Sequence, residues 1–283
     1  MSAVLARLRA PFLLAPAGAI LLGLFLAPLL WLAVVSFWEV RLFEVVPAAS
    51  LANYATVWAE YLGPLAYTGG ISALVALLTT MLAFSVAHLI WSREGLLGQI
   101  LLAATLLTLF GGYLAKVYAW KTILGREGIV NATLTGLGIA REPIDALLYS
   151  PPAVVLVLTS DLLSFAILPI YGALRSLSPV SLEAARDLGA SPWGVLRDAV
   201  LPLCVPALVT AFALCFFVTA GDYVTPRLVG GTSVQMMGSF IEGQFGLRMN
   251  VPLGAAMTFS TLLTSACVIA AAALGARHHL RAR

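Results

Sequence analysis

Asp161 stands inside an apolar run, flanked by Thr159, Ser160 and Ser164, with no Lys or Arg within a helical turn along the chain. Placing a carboxylate in a bilayer costs about 2.5 to 3.5 kcal/mol on insertion scales, so such a group faces a cavity or a partner. Two chemistries fit. The carboxylate can line a translocation path and meet a cationic solute, or it can bond to a neighbouring helix. Ser164 follows one turn later on the same face, while Tyr171 closes that same apolar run and Asp222 the next one. These four residues are the candidates for a substrate path. For Asp222, within Gly221-Asp222-Tyr223, a structural bond in that turn or solvation at the membrane surface is weighed above contact with substrate. His88 is read as interfacial and Glu242 as part of an outer loop.

Motifs for covalent chemistry are missing. There is no G-x-x-x-x-G-K-[ST] phosphate loop, and both lysines, Lys116 and Lys121, lie outside such a context. HExxH and GxSxG do not occur. The chain is therefore expected to be a non-catalytic subunit. Cys204, Cys215 and Cys267 all fall in apolar runs without ligand-like spacing and are expected to pack as small apolar side chains. Asn131-Ala132-Thr133 matches a glycosylation acceptor, a match read as chance.

The elements that must position these residues follow from composition. Of 283 residues, 61% are apolar and only 10% charged, whereas soluble domains carry about a quarter charged residues. That excludes a soluble globule, a disordered chain and a nucleic-acid binder, and leaves an all-α integral membrane protein. A bilayer core needs about 20 apolar residues of helix, because buried backbone must bond to itself. Six stretches qualify, near residues 12–36, 65–91, 97–119, 152–171, 203–224 and 252–274. They are expected to form one transmembrane domain over residues 1–283. Basic residues resist translocation. Arg7 and Arg9 put the amino terminus in the cytoplasm, and the tail with Arg277, His278, His279, Arg281 and Arg283 returns there. Lys116, Lys121, Arg126 and Arg141, at and beyond the end of the third span, work against that bias.

Among the inside loops only the fourth, residues 173–202, is long. Ser178-Pro179 and Ser191-Pro192 each supply an N-cap followed by a first-turn proline, so two short helices are expected. Between them Gly189 can take a positive φ and end the first helix. Leu182, Ala185 and Leu188 share one stripe of that helix, and Glu183, Arg186 and Asp187 the other. Glu183 and Asp187 repel at i, i+4 unless a basic group sits opposite. The hairpin is thus either a solvated surface element or a contact for a partner.

Glu183-Ala184-Ala185, then Gly189-Ala190, then Leu201-Pro202, with thirteen residues from glycine to proline, resembles the EAA loop of ABC importer permeases. Ala199 stands where that family usually has isoleucine. The resemblance implies the type I permease architecture with six transmembrane helices. It also implies that Glu183, Ala184, Ala185, Arg186, Asp187, Gly189, Ala190, Leu201 and Pro202 couple the chain to a cytosolic ABC ATPase dimer. ATP and Mg would act on that partner, and this chain would bind no cofactor or metal.

Tyr118-Ala119-Trp120, Leu124-Gly125, Gly128, Val130-Asn131, Leu168-Pro169-Ile170-Tyr171, Asp187-Leu188-Gly189-Ala190, Gly221-Asp222-Tyr223-Val224-Thr225-Pro226 and Gly230-Gly231 are similar to the spermidine/putrescine group. Phe84-Ser85-Val86 lacks that group's usual proline, Gly111-Gly112 replaces a proline-containing stretch, and Lys116 stands where arginine is common. The implied function is half of an import pathway in a bacterial inner membrane, with a second permease and a periplasmic or extracellular solute-binding protein as partners. The implied cargo is a polyamine such as spermidine or putrescine. Ferric iron, thiamine, an opine or another small solute are alternatives within the class, and a membrane-embedded enzyme or self-sufficient carrier is the remote one.

Overall fold

A computed structural model of the chain describes residues 15–42, 44–93, 95–178, 187 and 189–281. In chain order these form α1 (Ala15–Val35), a hairpin of β1 (Glu39–Arg41) and β2 (Glu44–Val46), α2 (Ala52–Glu60), α3 (Leu62–Ser92), α4 (Leu96–Phe110), α5 (Tyr113–Leu124), α6 (Ile129–Gly136), α7 (Pro151–Arg175), α8 (Pro192–Gly221), α9 (Met237–Phe245) and α10 (Val251–Arg281). Among the described residues, α1, α3, α7, α8 and α10 are each long and apolar enough to cross a membrane. The two three-residue strands, paired Glu39 to Val46 and Arg41 to Glu44, are the one sheet among them.

The third predicted span departs from the expectation of a single helix. α4 stops at Phe110, Gly111 and Gly112 are extended (ψ 134° and 128°), and the chain resumes at Tyr113 after a bend of 101°. Glycine costs about 1 kcal/mol in a helix relative to alanine, so two in succession make the cheapest place to break one. Counting the bent pair as one span gives six crossings. α7 also continues past Pro169 to Arg175, and α8 begins at Pro192, inside the loop expected to hold a separate short helix.

The chain divides into two compact units, residues 1–62 with 241–260, and residues 63–240 with 261–283. In the first, α1 opens into a wider π turn at Leu21–Leu26 just before Pro28, which relieves the clash of the ring with the carbonyl one turn back. The end of α1 is tied to α2 by side chains. The Ser36 and Tyr54 hydroxyls meet at 2.8 Å, and the Asn53 amide donates to the Ser36 and Trp38 carbonyls at 2.9 and 2.8 Å. Leu24 and Phe25 stay exposed on α1, as expected where lipid is the solvent.

The second unit holds the larger core. Val75 and Ala83 of α3, Leu158, Leu162 and Ala166 of α7, and Ala211, Cys215 and Phe216 of α8 are buried together. The small ones among them, Ala83, Ala166, Ala211 and Cys215, let helix backbones approach closely. A second cluster joins Val117 and Leu124 of α5 to Ala153 and Val157 of α7 and to Val229. That packing lays the half-helix after the break against α7. Cys204 and Cys215 are buried as expected, whereas Cys267 is exposed. Asn131 is buried: its amide donates to the Gly125 and Ile144 carbonyls at 3.0 and 3.3 Å and accepts from the Ile144 N–H at 2.8 Å. A side chain so occupied serves the fold of its loop.

Candidate functional site: a cavity at the broken span

The break in the third span creates the site. α5 starts within the apolar region, and its first turn carries Tyr113 and, one turn on, Lys116. Lys116 reaches α7, where its ammonium donates to Asp161 Oδ1 at 2.8 Å, a residue 45 positions away in sequence. The side chains are 20% and 9% exposed, so the pair lies largely out of water. A β-carbon at Gly111 would sit 3.1 Å from Lys116 Cε. The lysine stem therefore uses space that the glycine leaves open.

The other half of the site is the end of α8. The Tyr113 hydroxyl donates to Asp222 Oδ1 at 2.7 Å and lies 2.8 Å from the Thr225 hydroxyl. With its single proton committed to the carboxylate, Tyr113 accepts from Thr225. Asp222 Oδ1 also accepts from the backbone N–H groups of Val224 and Thr225 at 2.9 and 3.4 Å, closing the turn after α8. Asp222 Oδ2 is buried and has no hydrogen-bond partner among the described residues. Tyr113, Lys116, Asp161 and Asp222 line a cavity of about 600 Å³ whose other walls include Leu158, Leu162, Phe165 and Val218. It is an apolar chamber carrying two carboxylates and one ammonium.

Of the four sequence candidates, the cavity gathers Asp161 and Asp222. Ser164 is buried on α7 and is not among the lining residues. Tyr171 lies ten residues beyond Asp161, about 15 Å along the helix, and its phenol accepts from the Arg175 guanidinium at 3.5 Å. Asp161 has a cationic neighbour after all, contributed by another helix, so its bond is the interhelical one. Asp222 makes the turn bonds expected of it and a further bond to Tyr113. Lys116 and Tyr113 are the members that sequence reasoning missed, because Lys116 was counted with the charges near the end of the third span. The Gly111-Gly112 pair was the signal that the span breaks there. His88 is half-buried between the rings of Phe84 and Trp91, at 6.1 and 5.6 Å.

Of the coupling residues expected in residues 173–202, Glu183, Ala184, Ala185 and Arg186 lie outside the described residues. Asp187 is helical and exposed, Gly189 has φ +85°, and Ala190 is exposed. The Ser191 hydroxyl accepts from the Gly194 N–H at 3.1 Å and caps α8. A wide π turn at Val195–Val200 follows. Leu201 and Pro202 then lie within α8, so the short helix expected from Ser191-Pro192 is the start of the fifth span.

Apolar crossing helices, one of them broken beside a cavity with charged walls, define a membrane transport component. The chain belongs to the family described as the binding-protein-dependent transport system inner membrane component, which matches residues 19–279. It is 30% identical over 280 residues to the inner membrane ABC transporter permease protein YdcU of Escherichia coli K12, covering 88% of each chain. To the spermidine/putrescine transport system permease protein PotB of Haemophilus influenzae it is 34% identical over 170 residues, 60% of this chain and 59% of the relative. Its fold resembles that of a bacterial ABC transporter involved in alginate import, with a TM-score of 0.71 at 16% identity over 98% of both chains. A second structure of a bacterial alginate ABC transporter, in complex with an alginate pentasaccharide-bound periplasmic protein, gives a TM-score of 0.68 at 16% identity over 94% of this chain and 91% of that one. The chain is thus the permease subunit of an ABC importer and a multi-pass inner-membrane protein.

Proposed function

We propose that this permease carries small organic cations of the polyamine class. The observation that carries the reading is the excess of negative charge on one cavity, two carboxylates, Asp161 and Asp222, against the one ammonium of Lys116, with otherwise mostly apolar walls. Such walls suit the methylene stem of an alkylamine and the carboxylates its ammonium groups. Relatives named for spermidine and putrescine support it. The chain acts over residues 1–283 as one permease domain with both termini in the cytoplasm, and a second permease completes the pathway. A solute-binding protein delivers cargo from outside. ATP and Mg act on a cytosolic ATPase dimer, while this chain holds no cofactor and no metal.

The cytoplasmic hairpin passes the motion of the ATPase to the spans. Glu183, Ala184, Ala185, Arg186, Asp187, Gly189 and Ala190 present the contact, and Leu201 and Pro202, within α8, carry it into the fifth span. The continuity of α8 from Pro192 to Gly221 supports that role. Ser164 and Tyr171 shape α7 beside the path.

Uptake of radiolabelled putrescine by cells expressing the intact transporter tests the cargo. Asp161→Asn is expected to cut uptake while membrane insertion is kept, and unchanged uptake kinetics would reject the role. Co-purification tests the coupling. An ATPase subunit should follow the tagged chain and be lost with Glu183→Lys or Gly189→Pro. Retention of the ATPase by both variants overturns the assignment of the hairpin.

A further inference from the structure

We propose that Lys116 is a built-in occupant of the cargo site, holding the Asp161 carboxylate until an alkyl diammonium ion displaces it. The inference rests on the cationic-cargo reading above and adds how the empty path avoids a bare buried charge. A lone carboxylate in an apolar chamber is strongly unfavourable. The Lys116 ammonium removes that penalty at 2.8 Å. It is chemically a primary ammonium on a four-carbon stem, the same group that one end of 1,4-diaminobutane would offer. Exchange of one ammonium for the other leaves Asp161 paired before and after, and the displaced Lys116 head, on a side chain already 20% exposed, swings on its stem to water.

Three features favour exchange over a permanent strut. Lysine is a compact charge on a flexible stem and lacks the rigid two-point grip of arginine on a carboxylate. The stem runs over Gly111, where a β-carbon would crowd Lys116 Cε at 3.1 Å, so its position depends on a missing side chain. Finally, Lys116, Asp161 and Asp222 are the charged residues of the cavity lining. With Lys116 in place their formal charges leave one negative charge. When Lys116 withdraws, two remain, matching a diammonium ion. Asp222 Oδ2, buried with no hydrogen-bond partner among the described residues, is the acceptor left for the second ammonium.

The full chain in phospholipid nanodiscs provides the test, with thermal unfolding as the readout. Lys116→Ala should lower the unfolding midpoint. Millimolar 1,4-diaminobutane should raise it again by several degrees in a concentration-dependent way, because a ligand of the folded state stabilises by mass action. n-Butylamine should restore less, and 1,4-butanediol nothing. The unsubstituted chain, where the amine must compete with Lys116, should respond more weakly, and Lys116→Ala/Asp161→Asn should not respond. If Lys116→Ala fails to insert, Lys116→Gln is carried through the same titration. No rescue by either amine, equal rescue by both, or an equal shift of the unsubstituted chain overturns the proposal. Uptake separates the two ideas: rescue without putrescine uptake by the intact transporter overturns the cargo reading, and uptake without rescue overturns the exchange.

Discussion

Lys116 and Asp161 are worth more to the fold in their breaking than in their making. Removing one partner of a buried pair costs about 3–5 kcal/mol because the other charge is stranded, whereas replacing both by apolar residues of similar volume is often neutral. Lys116→Met should therefore lower stability by about that amount, and Lys116→Met/Asp161→Leu should recover most of it, as read by unfolding in detergent. Tyr113→Phe keeps the ring but deletes the donor to Asp222 at 2.7 Å and the acceptor of the Thr225 hydroxyl. A loss of about 1–3 kcal/mol is expected, the usual cost of an orphaned buried polar group. Asn131→Ala deletes the bonds to Gly125 and Ile144 and should speed amide exchange of residues 125–144 more than that of α7. Equal exchange in both segments would show that Asn131 does not hold the loop.

At the scale of elements, the breaks matter more than the helices. Gly230 sits where a β-carbon would come within 2.6 Å of Val234 Cβ and 2.9 Å of Val154 Cγ2 on α7. Gly230→Ala should cost about 1–3 kcal/mol by overpacking, and a smaller Val154 side chain should relieve part of it in the double variant. Sequence revealed what is written locally: runs of about 20 apolar residues, the Ser191-Pro192 start of α8 and the positive φ of Gly189. The break at Gly111-Gly112 was hidden because hydropathy is nearly continuous through it, and hydropathy carries no dihedral information. The continuity of that start into the fifth span was hidden because Leu201-Pro202 looks like a boundary. The structure absorbs that proline with the π turn at Val195–Val200, which shifts the bonding pattern where the ring removes a donor.

For the molecule as a whole, the fold class, the transport family and the side chains of half the cavity were legible in the chain. Asp161 announced itself as a charge among apolar neighbours. Its partner did not, because an ion pair spanning 45 residues leaves no periodic trace. Burial within the chain also differs strongly among spans. In the most apolar window of each, 61% of α7 is buried against 6% of α1. Hydropathy could not separate these two, since lipid and protein interior are equally apolar solvents.

α8 has one property that its thirty residues give to few other segments of the chain. It is a shaft about 45 Å long with the capped Ser191 at one end and Asp222 at the other, and a shaft transmits torque as well as thrust. One alanine inserted after Cys204 would rotate everything beyond it by about 100° while leaving the chemistry of both ends unaltered. Such a chain should still reach the membrane, yet turn Asp222 away from Tyr113 and import nothing.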